Sequence, residues 1–380
     1  MFRVFFLVSM GIFWLTGCSS NLSLLKEEDL VTKFDLGNEQ MAKFKTVQNI
    51  ESNKTEPVAP KANINSDKSK KIEGLDQKPL EPTSEQISTQ ISAMKASVQS
   101  EDQTDQDEEI VDGPPGKINI PAGYPDTYVE YDNRFKETWK SFKPILFIGE
   151  EFTMSIKYLG LSAGTAQITT LEPVFMGEQK VWHIKAKLKS ADYYKYIYQL
   201  DDSIESYIST ESFLPLKYQL IQRESAQEID DLQLFDAEKL KTFFWYRRLK
   251  KGTLNKQEQS NHIPKYIQDS FSALYFARGL PLVKGVVYEY PVVTRAKIWI
   301  IKLEVVAREE LMFKKSKIMA LKIKAETRFP GILKKKGDIN FWISDDKKRL
   351  FLKFNAKVKI GSISGDLLDY KNPSENDLKH

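Results

Sequence analysis

The chain has 380 residues, of which 41% are hydrophobic and 28% charged, and its net charge is +4. The average hides an asymmetry: residues 19–115 carry 11 Lys and Arg against 19 Asp and Glu, whereas residues 116–380 carry 44 against 33. A single cysteine, Cys18, excludes a disulfide, a thiol nucleophile and a cysteine-ligated metal from everything that follows it.

Residues 1–17 read as an export signal. Arg3 precedes an apolar run from Val4 to Trp14, too short for a bilayer span of about 20 residues. The ending Leu15-Thr16-Gly17-Cys18 resembles the bacterial lipobox. The resemblance implies that Cys18 is acylated and becomes the first residue of a mature lipoprotein, giving the protein a membrane as partner. Two or more acyl chains, at about 0.8 kcal/mol per buried methylene, make such an anchor stable. Ser19 and Ser20 lack the aspartate associated with inner-membrane retention in some bacteria, which favours the outer membrane, facing the periplasm.

Residues 18–125 read as the acylated N-terminus and a disordered acidic tether. Only Phe34 and Phe44 are aromatic between 19 and 115, so little apolar surface offsets the entropy of ordering. Gly113-Pro114-Pro115-Gly116 then breaks any regular structure.

Residues 126–372 read as one β-rich domain, followed by a tail at 373–380. From about Phe147 the dominant period is two. Phe152, Met154, Ile156 and Tyr158 alternate with polar or small residues, and Trp182, Ile184, Ala186 and Leu188 alternate with His183 and lysines. Trp299, Ile301, Leu303 and Val305 form a third set, and Leu350, Leu352, Phe354 and Ala356 a fourth, which places Phe351 on the outer face. Roughly ten to thirteen strands joined by hairpins are expected. The fold class is mostly β: a large curved antiparallel sheet or partly closed barrel.

One helix interrupts the strands. Asp269 caps its start, Arg278 suits its last turn, Gly279 fits a left-handed position past its end, and Pro281 forbids continuation. Phe271, Leu274 and Tyr275 share one face, and a helix this short must lay that face on the concave side of the sheet.

Four pieces of the domain together resemble a known family. They are Gly149-Glu150 with Phe152 and 158–164, the helix segment 268–278, the hairpin 341–350, and 361–367. Over about residues 145–370 they are similar to the bacterial envelope family catalogued as domain of unknown function 3108. The resemblance implies an exported β-rich domain and carries no catalytic residue with it.

The remaining residues offer little chemistry. The pairs Asp201-Asp202, Asp230-Asp231 and Asp345-Asp346 either face opposite ways on a strand or form turns. His183, His262 and His380 have no metal or triad spacing. Asp269, Phe271, Leu274, Tyr275 and Arg278 are structural or ligand-facing. No catalytic residue, metal or cofactor is expected, nor is a nucleic-acid partner for an exported domain. Lysine clusters at hairpin tips protect edges or meet anionic head groups. The sequence therefore favours a non-enzymatic module binding an apolar or amphipathic ligand, such as a lipid, or an envelope protein. The alternatives are a purely structural envelope lipoprotein and a hydrolase whose carboxylates meet only in the fold.

Overall fold

In a computed structural model, the protein is described over residues 30–34, 43–47, 120–328, 338–358 and 361–373. In chain order these residues form α1 (Leu30–Lys33), β1 (Thr46–Val47), α2 (Asp126–Lys140), β2 (Glu151–Tyr158), β3 (Leu161–Met176), β4 (Gln179–Ser190), β5 (Leu200–Ser209), β6 (Pro215–Glu224), β7 (Gln227–Asp236), β8 (Lys241–Lys250) and β9 (Thr253–His262). There follow β10 (Gln268–Asp269), α3 (Ser272–Gly279), β11 (Val287–Thr294), β12 (Lys297–Phe313), β13 (Ser316–Arg328), β14 (Asp338–Ser344), β15 (Phe351–Lys357) and β16 (Ser362–Lys371).

The strands build one curved, open sheet in the order β10-β11-β12-β13-β14-β15-β16-β2-β3-β4-β5-β6-β7-β8-β9, with β1 added beside β3. Neighbours are antiparallel, except that β10 lies parallel to β11. The sheet has more strands than the ten to thirteen expected. One reason is β9, Thr-Leu-Asn-Lys-Gln-Glu-Gln-Ser-Asn-His, an edge strand exposed along almost its whole length and without an apolar alternation to reveal it.

Alternation does set the inner face elsewhere. Phe152, Met154 and Ile156 of β2, Ile184, Ala186 and Leu188 of β4, and Ile301, Leu303 and Val305 of β12 all join the main core. Phe351 departs from that pattern. In the β14–β15 ladder Trp342 pairs with Lys353 and Ile343 with Phe351, so Leu352 is an unpaired bulge. Phe354 and Ala356 face inward by alternation, and the bulge turns Phe351 inward with them. It is buried, 5.1 Å from the Phe152 ring and 5.6 Å from that of Tyr275.

The concave side carries two helices, not one. Pro125 and Asp126 start α2, the acid suiting a helix N-terminus. Tyr128, Tyr131, Phe135 and Trp139 recur at three- and four-residue spacing, and Phe142 continues the stripe. Trp139 and Phe142 meet Phe276 of α3 at ring distances of 4.9 and 4.4 Å. The two helices approach closely because of Gly279: a Cβ there would lie 2.3 Å from Lys143 O and 2.4 Å from the Phe142 ring. Gly279 is the last residue of α3 and is not left-handed, contrary to expectation.

The convex side carries a second apolar cluster. Met176, Val181, Tyr207, Leu232, Leu234 and Trp245 are covered by Leu30, Val31 and Phe44. Lys33 bonds Asp230 at 3.0 Å and Lys43 bonds Asp236 at 2.9 Å. Residues 30–34 and 43–47, within the expected tether, lie on the sheet, held there by Leu30, Val31 and Phe44 and by the ion pairs of Lys33 and Lys43. Residues 120–125, the end of the expected tether, are also described, with Tyr124 buried and its Oη donating to Asp132 at 2.8 Å. Cys18 and the remainder of the tether lie outside the described residues, as does His380 in the expected tail.

Candidate functional site

The inner faces of β2–β4 and β11–β15 do not close completely on α3. Between them lies an apolar cavity of about 130 Å³. Its walls include Met154, Ile156, Ile168, Leu188, Ile301, Leu303, Phe341 and Phe351, with Ser270 from the turn before α3 and Ala273, Leu274 and Ala277 from the helix itself. Those four positions have i, i+3, i+4, i+7 spacing, the signature of one helix face. Three of them are small, which is why the helix fails to fill the space. Ala325, Ile339, Lys353 and Phe354, all half-buried, mark the side where the cavity approaches solvent.

Of the helix residues singled out from the sequence, only Leu274 lines this cavity. Phe271 and Tyr275 are fully buried in the main core. Asp269 is a cap: its Oδ1 accepts from Phe271 N at 2.6 Å and Ser272 N at 2.8 Å, while Ser272 Oγ accepts from Asp269 N at 2.9 Å. Ser206 Oγ donates to the other carboxylate oxygen at 2.5 Å, tying the cap to β5.

Arg278 does far more than complement a helix dipole. It is fully buried and forms a forked pair with Glu150, Nη1 to Oε1 at 2.6 Å and Nη2 to Oε2 at 2.9 Å. Nε and Nη2 also donate to Lys348 O and Arg349 O in the β14–β15 turn. The rings of Phe147, Phe152, Tyr275 and Phe351 surround the guanidinium at 5.3 to 5.8 Å. This planar fork inside an aromatic cage clamps α3, the start of β2 and the β14–β15 turn together. Glu150 stood in the sequence next to Gly149, but nothing local announced a partner 128 residues away.

The Asp-Asp pairs face opposite ways, as strand geometry requires. Asp230 meets Lys33, Arg223 and Arg247, whereas Asp231 meets Arg295. Asp346 accepts from Lys348 N and Arg349 N in a turn. Two carboxylates that are distant in sequence do converge. Asp202 and Glu224 are both buried, bridged by Gln222 Nε2 at 3.0 and 3.2 Å, and Tyr198 Oη donates to Glu224 at 2.7 Å. Burial, then the neighbouring Glu224 charge, push Asp202 up to about 7. Neither carboxylate lines the cavity. His183 is half-buried on the convex face, stacked on Tyr207 and bonded to Glu205 at 2.6 Å. Burial alone would raise Glu205, but His183, Lys185 and Tyr207 together hold it at about 2.

A family model described as "Protein of unknown function (DUF3108)" matches residues 151–368. The chain belongs to this family. Its β2–β16 region is thus the DUF3108 domain, with α1, β1 and α2 outside the match. No curated protein matches. Among solved structures, the DUF3108 chain resembles a β-barrel-like protein of domain of unknown function DUF1849 from Brucella abortus, at 8% identity and a TM-score of 0.40, covering 60% of this chain and 99% of that one. A candidate lipoprotein from Parabacteroides distasonis (9% identity, 61% of this chain, 99% of that one) and a candidate exported protein with a YmcC-like fold from Bacteroides fragilis (11%, 61% and 99%) each give a TM-score of 0.27. These likenesses are too distant to bear on function.

Proposed function

We propose that this DUF3108 protein is a lipid-anchored, periplasm-facing envelope protein that binds an apolar or amphipathic ligand in the cavity between α3 and the concave sheet. The observation that carries the reading is the cavity itself. Protein interiors pack to crystal density and leave few voids larger than a water. An unfilled apolar volume of about 130 Å³ costs about 3 kcal/mol at 24 cal/mol per Å³. The side chains that would fill it are small at Ala166, Ala186, Ala273 and Ala277. An apolar cavity of about 150 Å³ stays dry and takes up a benzene-sized molecule, so this one matches a single ring or the end of one acyl chain.

The lipobox-like Leu15-Thr16-Gly17-Cys18 supports the same reading, since acylation of Cys18 would hold the cavity near a supply of acyl chains. Cys18→Ser should abolish labelling by a fatty-acid probe, and unchanged labelling would remove the anchor from the account. Ligand binding is tested by titrating an environment-sensitive fluorescent fatty acid into the protein and into Ala186→Phe. Saturable binding lost on filling the cavity is expected; equal signals would refute it. The hydrolase alternative gains no support from Asp202 and Glu224, whose oxygens bond Gln222, Arg223, Tyr198 and Gln227.

A further inference from the structure

At one end of the sheet the β2–β3, β4–β5 and β15–β16 connections sit side by side. Leu159 N donates to Ser362 O at 3.1 Å, and Tyr193 Oη donates to Ser162 O at 2.7 Å, linking all three. Together they expose Leu159, Leu161, Tyr193, Tyr196 and Ile197, at 57, 71, 61, 91 and 68%.

Leu159 packs over Gly361 and Tyr193 ties two of the loops, yet both stay more than half exposed. Leu159 and Gly160 occupy the two central positions of a tight hairpin turn at φ 50° and 82°, where Asn, Asp or Gly fit without strain. A leucine is both strained in that conformation and more than half exposed. The β4–β5 loop is equally deliberate. Ser190 Oγ donates to Tyr198 O at 2.9 Å and accepts from Leu200 N at 2.7 Å, pinning the loop's two ends. A single 3-10 turn, Tyr194–Tyr196, then leaves Tyr196 nine-tenths exposed.

Lys189, Lys195 and Lys357 lie on these loops and Lys250, Lys251 and Lys297 on further turns at the same end of the sheet, against the carboxylates Asp192 (paired with Lys195 at 2.8 Å), Asp201, Glu224 and Glu228. Tyrosine and aliphatic side chains interleaved with lysines suit the interfacial layer of a bilayer carrying negative charge. Behind the loops a cleft of about 30 Å³, walled by Tyr158, Tyr194, Tyr198 and Leu200, shares Ile156 and Leu188 with the main cavity.

We propose that this end of the domain docks on the surface of an anionic lipid bilayer, with Leu161, Tyr196 and Ile197 in the interfacial layer and the cleft behind them as the route of an acyl chain to the cavity. Docking stands on the exposed loops alone; the route rests on the ligand-binding reading.

The test uses the full chain carrying Cys18→Ser, so that no acyl anchor or native thiol remains. An environment-sensitive fluorophore is attached at Tyr196→Cys or, separately, at Val283→Cys in the exposed α3–β11 connection. With mixed phosphatidylcholine and phosphatidylglycerol vesicles, the label at 196 should shift blue and be quenched by nitroxide-bearing lipid, while the label at 283 stays unchanged. Lys189→Gln and Lys195→Gln should each weaken the response about fivefold. An unresponsive label at 196, or equal responses at both sites, overturns the docking. Fatty-acid binding is measured on the same proteins without vesicles. Its loss with docking retained removes the route and leaves the docking, whereas the reverse result leaves the cavity reading intact.

Discussion

Replacing Arg278 with Met perturbs the clamp that joins α3, β2 and the β14–β15 turn. Methionine keeps much of the side-chain volume against Phe147, Phe152, Tyr275 and Phe351 but removes every donor. Glu150 is left as a fully buried carboxylate whose remaining partners, Thr170 Oγ1 at 3.3 Å, Phe147 N at 3.5 Å and Tyr370 Oη at 3.5 Å, are long and neutral. Two carbonyls, Lys348 O and Arg349 O, also lose their guanidinium donor. Breaking a buried pair on one side costs about 3–5 kcal/mol, a large share of a typical stability of roughly 5–15 kcal/mol. Removing both charges, as Glu150→Leu with Arg278→Met, should recover much of that loss, because an apolar replacement leaves no uncompensated charge. Urea unfolding followed by tryptophan fluorescence gives the double-mutant cycle. A loss below about 1 kcal/mol for Arg278→Met, or strictly additive single losses, would refute the clamp.

Further outcomes follow from the same packing. Phe271→Ala and Phe351→Ala should each cost about 3–5 kcal/mol in denaturant melts, since both rings are buried; a small loss at Phe351 would restore it to the outer face. Gly279→Ala should lower stability by roughly 1–3 kcal/mol through overpacking against Phe142 and Lys143, and a stabilised variant would contradict the close helix approach. Asp202 is raised on folding, so the native state holds its proton longer than the unfolded chain does. Its contribution is therefore most favourable below the ordinary carboxylate range and declines up to about pH 7, by at most about 1.4 kcal/mol per pH unit. Asp202→Asn should flatten that stretch of the stability–pH curve, and an unchanged slope would show that Asp202 ionises normally.

The sheet was legible in the sequence where one face is wet, because β2, β4 and β12 must then alternate. It was illegible at β9, which is polar on both faces, and at Leu352, where one bulged residue reverses the facing of Phe351. The helix was legible through Asp269, Arg278 and Pro281. Its packing was not: a helix buried on nearly every side has no single dry face, so the cavity-lining row Ser270, Ala273, Leu274, Ala277 stayed hidden behind the larger Phe271 and Tyr275. The aromatic stripe at Tyr128, Tyr131, Phe135 and Trp139 was readable as a helix and went unread beside an acidic, aromatic-poor stretch. The Arg278–Glu150 pair and the straps at Leu30, Val31 and Phe44 depend on contacts distant in sequence, which no local pattern specifies.

The cavity between α3 and the sheet should hold an apolar ligand in the protein as it leaves the cell. Native mass spectrometry of the protein purified from its own envelope in mild detergent tests it most directly. The account predicts a retained apolar or amphipathic molecule at one per chain, absent from Ala186→Phe prepared in the same way. A wild-type protein that repeatedly emerges with no adduct, or one retained equally by the cavity-filled variant, would contradict it.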